Sequence, residues 1–182
     1  DERLGWAGDA NVYAETATYM ADMRAFYSNY NQLQRDAQGP DGTFHLFVPS
    51  LSDMGKAFAL GYTWNAAGIM IPFETWLQYA DSRALKENYP HFKRHIFGMM
   101  EKKAEGREYL TGYVGILGDH LAVEPTDASL MDNAQFYRSV RCVQKAAEIL
   151  HKPEDAALLA AYANGLQREW NSVFLDEERR TQ

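Results

Sequence analysis

Cysteine is nearly absent from this 182-residue chain, Cys142 being its sole thiol. One thiol cannot pair within the chain, which excludes a disulfide scaffold and a multi-cysteine metal site and leaves oxidising and reducing compartments equally open. Long apolar stretches are missing as well: no run of about 18 apolar residues occurs, so no segment is expected to span a membrane. Basic charge is in the minority, with 18 Lys and Arg against 25 Asp and Glu, a net charge of −7 and a pI near 5.2. That balance provides no basic face for a nucleic acid. Low-complexity runs and blocks of like charge are lacking, and 46% hydrophobic with 24% charged residues is the composition of a folded chain. Its length suits one ordinary domain. No repeat of fixed period is present, which argues against tetratricopeptide or HEAT architecture. An initiator methionine is also lacking: the chain opens on Asp1, from which processing or excision from something longer is expected.

What is present is helical periodicity. Apolar residues from Val12 to Leu33 recur at helical spacing, and Asp22 is placed to cap a second helix after a break near Met20. Gly39-Pro40-Asp41-Gly42 is a dense turn signal, and residues 39–62 read as a long loop with at most one short strand. Loops of that length inside compact domains are usually functional. Residues 63–80 are apolar around most of the helical circumference, which requires burial on more than one side, and Pro72 predicts a helix start or a kink. Residues 81–89 read as a short helix and Pro90 as the start of another reaching about Ala104. A glycine-bearing loop follows over 105–125. Thr126 or Asp127 then caps a helix ending at Leu150, and Lys152-Pro153 turns the chain into a last helix through Phe174. The expectation is an all-α fold of antiparallel helical hairpins, about six helical segments with long loops between hairpins.

Chemistry is densest at the start, where Asp1, Glu2, Arg3, Trp6 and Asp9 precede or open a helix. Glycosidases need one protonated carboxyl for the leaving oxygen and one carboxylate for water or direct attack, and an aromatic face suits the C–H side of a sugar. Spacing alone equally allows Asp9 to cap the helix, Arg3 to pair with Asp1 or Glu2 in water, and Trp6 to staple the helix start. Elsewhere, His45 lies in a loop and reads as solvent-exposed. His91 and His95 are four apart on a helix without a third ligand, Arg138 is placed to pair with a buried carboxylate, and Cys142 reads as a packing residue. Neither a metal nor a cofactor is expected.

The run Asp1-Glu2-Arg3-Leu4-Gly5-Trp6-Ala7-Gly8-Asp9-Ala10 resembles the DER-x-GW-x-GDA motif of bacterial α-L-rhamnosidases. Further stretches match in family order: Asp36-Ala37-Gln38 with Asp41-Gly42, Trp64 to Ala67 followed by Ile69 to Pro72, Tyr79 to Tyr89, Gly118-Asp119-His120, Phe136 to Ser139, and Pro153 to Ala156. The resemblance covers nearly the whole chain.

That resemblance implies part of an (α/α)6-barrel catalytic domain over residues 1–182, about half of the barrel, and an inverting hydrolase of terminal α-L-rhamnose on glycans or glycosides. It implies Glu2 as general acid, Asp1 and Asp9 as binders of sugar hydroxyls, Arg3 as the residue ordering the acidic cluster, and Trp6, Trp64 and Asp119 as pocket walls. The general base is implied to lie in a later part of the barrel, so little turnover is expected of the chain alone. Asn65 and His120 depart from an aspartate and a tryptophan of the family pattern, which leaves another sugar specificity as the rival enzyme reading. A noncatalytic helical interaction module is the rival from a different class. Self-association through uncovered apolar helix faces is expected under either. The partner implied is a rhamnose-containing carbohydrate, with no nucleic acid and no membrane.

Overall fold

The computed structural model describes residues 3–50, 61–115 and 117–175. Among the described residues there are seven helices and no strand: α1 (Ala7–Met20), α2 (Arg24–Ala37), α3 (Tyr62–Asn65), α4 (Ala67–Tyr79), α5 (Ser82–Glu101), α6 (Ala128–Ile149) and α7 (Pro153–Phe174). The single turn α3 leads into α4, so the long helices form three hairpins, α1/α2, α4/α5 and α6/α7. Short turns at 21–23, 80–81 and 150–152 join the members of each hairpin, whereas long loops precede α3 and α6. The up-down alternation therefore gathers the short turns at one pole and the long loops, with the start of α1, at the other. Tyr79 ties the short-turn pole together: its hydroxyl accepts from Met23 N at 3.0 Å and donates to the Ala21 carbonyl at 3.3 Å.

α4 is the central element. Its residues from Ala67 to Pro72 are all buried, and it packs against α1, α2, α5 and α6. The all-round apolar pattern thus has its expected cause. Pro72 lies inside α4 rather than at its start. On the outer side of α4, Leu85, Phe92 and Ile96 of α5 meet Phe136 and Val143 of α6 and Leu159 and Leu166 of α7 in one continuous core. Fully burying each such side chain contributes about 1.5–3 kcal/mol before entropy is subtracted.

Caps follow the sequence closely. Asp127 caps α6 by accepting from Leu130 N at 2.8 Å, whereas the N-cap position of α2 is Met23 and Asp22, one residue earlier, accepts from Arg24 N at 3.1 Å. Pro153 opens α7. Pro90 is the correction: α5 runs without interruption from Ser82 to Glu101 through it. Both Pro90 and Lys86, whose carbonyl loses its intrahelical donor, are on the exposed face, open to water. The loop after Gly39 holds no strand among its described residues, only an isolated bridge between Phe47 and Trp6; residues 51–60 lie outside the described part.

Side chains from the helices hold the long loops. Gln38 donates to the carbonyls of Gly42 (2.8 Å) and His91 (3.0 Å) and accepts from Arg94 Nε at 3.1 Å. The two histidines four apart on α5 serve the same turn, with His91 Nδ1 at 2.7 Å from Gln38 Oε1 and His95 Nδ1 at 3.0 Å from the Gly42 carbonyl. Asp41 accepts from Thr43 and from Lys102 Nζ at 2.7 Å; burial opposes ionisation there, yet these bonds outweigh it and hold the carboxyl at about 2. The second loop is fixed from α6 and α7. Asn133 exchanges bonds with Thr111, and Glu169 accepts from the backbone N–H groups of Glu108, Tyr109 and Leu110 at 3.1, 2.7 and 2.8 Å.

Two outcomes follow. Glu169→Ala should cost about 1–3 kcal/mol, read by denaturant unfolding, because three N–H groups lose a charged acceptor together. His95 is fully buried between the rings of Phe44 and Tyr62, and burial lowers its pKa to about 4. The unfolded chain, with an ordinary imidazole near 6.5, binds this proton more readily. Stability should therefore fall as pH drops from about 6.5 to about 4, by an amount on the order of 3 kcal/mol. His95→Gln should flatten that dependence in urea titrations; an unchanged slope would assign it to other groups.

Candidate active site

The site is built where α1 begins. Arg3 is exposed with a left-handed backbone (φ 55°), and the chain then pairs briefly with the 46–48 segment: Val48 N donates to Gly5 O at 3.1 Å and Ala7 N to Leu46 O at 2.7 Å. The second bond satisfies one of the free N–H groups of the α1 N-terminus. Gly5 is required by the approach, since a Cβ there would lie 2.2 Å from the Val48 carbonyl oxygen. The same segment sets Trp6 edge-on to Phe47, ring centroids 5.3 Å apart.

Trp64, from α3, completes this corner. It is 9% exposed, and a Cβ on Gly8 would fall 2.6 Å from its indole, so the first turn of α1 lies directly against the ring. Leu46, Phe47 and Trp64 share one apolar cluster, with Leu4, Trp6 and Leu117 packed on it. His120 approaches Trp64 edge-on at 6.1 Å. Asp119, beside it, closes its own loop by accepting from Thr126 Oγ1 at 2.9 Å and Thr126 N at 3.4 Å. The tryptophans and the Asp119 loop, 55 residues and more apart in sequence, thus meet at the long-loop pole. Asp9 sits on the exposed side of the first turn of α1, and its charge adds to the burial that pushes the Tyr30 phenol up to about 12. His45 is half-buried rather than exposed, with its ring 6.1 Å from Phe47 and its Nε2 3.4 Å from Ser50 Oγ. Asp1 and Glu2 lie outside the described residues.

Several residues that shape the corner carry no obvious sequence signal. Asp132, 2% exposed in the second turn of α6, accepts from Thr63 N (2.9 Å), Thr63 Oγ1 (2.7 Å) and Gly115 N (3.0 Å). It locks α3, and with it Trp64, to α6 and the second loop. The hint was a polar pair, Asp132-Asn133, at core positions of an otherwise apolar helix. Asn65 is buried and donates to the Phe44 carbonyl, so its amide supports the loop backbone instead of contributing charge to a pocket. On the other side of α4, Arg138 pairs with Glu74 at 3.3 Å, and burial raises the Glu74 carboxyl despite the guanidinium. Cys142 is buried, its thiol pushed up to about 12 by burial, as befits a packing residue. Among the described residues no group of three or more His, Cys, Asp or Glu side chains is arranged to hold a metal ion.

Comparison with known proteins supplies the context. The family model for the bacterial alpha-L-rhamnosidase 6-hairpin glycosidase domain matches residues 1–182. An alpha-L-rhamnosidase of Alteromonas sp. (strain LOR) is 31% identical over 98% of this chain and 20% of its own length. One from Streptomyces avermitilis is 33% identical over 96% of this chain and 16% of its own. The crystal structure of a Streptomyces avermitilis alpha-L-rhamnosidase complexed with L-rhamnose superposes with a TM-score of 0.86 at 28% identity, covering 97% of this chain and 16% of that one. A rhamnosidase from Dictyoglumus thermophilum gives 0.81 at 28% identity, over 97% of this chain and 20% of that one. The chain therefore spans about a fifth or less of the length of these relatives. With its three helical hairpins, and Gly5 to Gly8 of its opening motif packed at the long-loop pole, the chain belongs to the bacterial alpha-L-rhamnosidase six-hairpin glycosidase family.

Proposed function

We propose that residues 1–182 are part of the catalytic barrel of an inverting α-L-rhamnosidase and supply its general acid. The observation that carries this reading is the convergence of Trp6, Trp64 and the Asp119 loop around the start of α1, directly after Glu2. Glu2 protonates the glycosidic oxygen as terminal rhamnose departs. A carboxyl doing so near neutral pH needs a raised pKa, the direction in which neighbouring carboxylates and an apolar wall act. Asp1 and Asp9 hydrogen-bond the sugar hydroxyls, Arg3 orders the carboxylates, and Trp6 offers its ring to the apolar side of rhamnose. Trp64, largely taken up by contacts with Gly8 and Leu46, backs that wall, and Asp119 fixes the rim loop. Inversion requires a second carboxylate roughly 6.5–9.5 Å from the acid to activate water. It comes from another part of the barrel, outside residues 1–182.

The chain alone should show no turnover of 4-nitrophenyl α-L-rhamnoside; a rate comparable to a complete rhamnosidase would overturn this division of acid and base. Within a complete enzyme carrying this segment, Glu2→Gln should lower kcat on an alkyl rhamnoside by about 10²–10⁴-fold. The loss should be much smaller on the 4-nitrophenyl substrate, whose leaving group needs no proton. Equal effects on both substrates would move the acid elsewhere.

A specific surface feature favours association as well. Val12, Tyr19, Met20 and Phe26 of the α1/α2 hairpin are 60–77% exposed, and Tyr137 and Trp170 line an apolar groove between α6 and α7. The sedimentation coefficient of the chain should rise with concentration, and a concentration-independent monomer would count against association.

A further inference from the structure

Two of the segments that build the candidate site meet on one side chain of α5. His95 is fully buried. Its ring lies tilted against Phe44, centroids 4.9 Å apart, and stacks on Tyr62 at 5.4 Å with the planes 26° apart. Phe44 comes just before Leu46, whose carbonyl takes the Ala7 N–H at the start of α1, and before Phe47, whose ring meets Trp6 edge-on. Tyr62 opens the single turn α3 that carries Trp64. The segment against which Trp6 is set and the turn that holds Trp64 therefore both lean on the same imidazole.

The ring nitrogens show that packing alone does not account for a histidine here. Nδ1 is 3.0 Å from the Gly42 carbonyl oxygen, which can only accept, so Nδ1 carries the proton. Burial lowers the pKa to about 4, which leaves the ring neutral near neutral pH and Nε2 a bare acceptor. Nε2 is buried and finds no hydrogen-bond partner among the described residues. A phenylalanine would fill the same space without an unpaired acceptor, so the imidazole is explained by what Nδ1 does. Together with Gln38, which donates to the same carbonyl at 2.8 Å, it fixes the turn from which the 43–48 segment departs. The side chain of Asn65 then ties that segment to α3 by donating to the Phe44 carbonyl.

We propose that His95 is a positioning residue for the candidate active site. Its ring sets the separation between the 43–48 segment and α3, and its Nδ1–H fixes where that segment leaves the Gly42 turn, so that Trp6 and Trp64 are held in place as walls of one pocket. The proposal rests on the reading of that corner as the rhamnose pocket. Being fully buried, His95 acts through its neighbours: through Phe44, Phe47 and Trp6 along one path, through Tyr62 and Trp64 along the other.

Two replacements separate the two tasks. His95→Phe keeps a flat ring of similar size in the buried place and loses the Gly42 bond, whereas His95→Asn keeps a donor and loses the ring. Leu159→Ala is the control, since Leu159 is 1% exposed in the same core but belongs to α7, so its loss destabilises the fold without touching either path. In a complete enzyme carrying this segment, kcat/KM for 4-nitrophenyl α-L-rhamnoside is measured at a temperature where circular dichroism shows every variant folded. Both His95 variants should lose about tenfold or more, and Leu159→Ala should stay within about twofold of the parent. In the 182-residue chain, the indole N–H NMR signals of Trp6 and Trp64 should move in both His95 variants and keep their places in Leu159→Ala. Folded His95 variants that match Leu159→Ala in both readouts, or a loss confined to one of the two, would overturn the proposal. An unmutated enzyme that leaves the rhamnoside intact would instead count against the catalytic reading; the indole signals need no substrate and still decide the role of His95.

Discussion

Everything in the fold turns on the need to bury α4. A helix that is apolar around most of its circumference cannot rest on one neighbour, and α1, α2, α5 and α6 all close on it. That demand selects an arrangement in which hairpins wrap around a central member. Once the helices alternate up and down, the ends of the chain segments have no freedom left: short turns collect at one pole, long loops at the other. The chemistry then follows from topology, because the start of α1, the α3 turn and the loop before α6 can only meet at the long-loop pole.

The described residues of the loops at that pole are irregular but anchored. Their backbone N–H and C=O groups find partners on the helices, through Gln38, His95, Asp132, Asn133 and Glu169. Polar groups buried this way need their partners, because an unmet donor or acceptor in a dry interior costs more than a made bond returns. The polar side chains are therefore as necessary to the corner as the aromatic rings. Asp132 shows the economy of the device: one carboxylate orients the turn that carries Trp64 and the loop that leads towards His120.

The helices were legible because the features that make them are local. Asp22 and Asp127 sit next to the N–H groups that bond to them, Pro153 starts the helix it precedes, and apolar spacing marks the buried faces. Pro90 misled because it and Lys86, whose carbonyl it deprives of a donor, are both exposed to water, and exposure is not written in a local pattern. The same limit hid the latches. Asn133 finds Thr111 across 22 residues and Asp132 finds Thr63 across 69, and nothing in either neighbourhood announces the partner. At the site, the opening motif pointed to the corner where Trp6 and Trp64 pack together. The fit of Gly5 under Val48 and of Gly8 under Trp64 became intelligible only when those contacts were known.

The separation of the poles has an evolutionary consequence. The turns at 21–23, 80–81 and 150–152 are too short to change without dragging two helices with them, and Tyr79 stitches the first two together. The long loops hang from a handful of side-chain anchors, and chain inserted between anchors leaves every helix contact in place. One end of the barrel is thus fixed by its joints while the other is free to be rewritten. A lineage can lengthen or trim those loops around an unaltered helical frame.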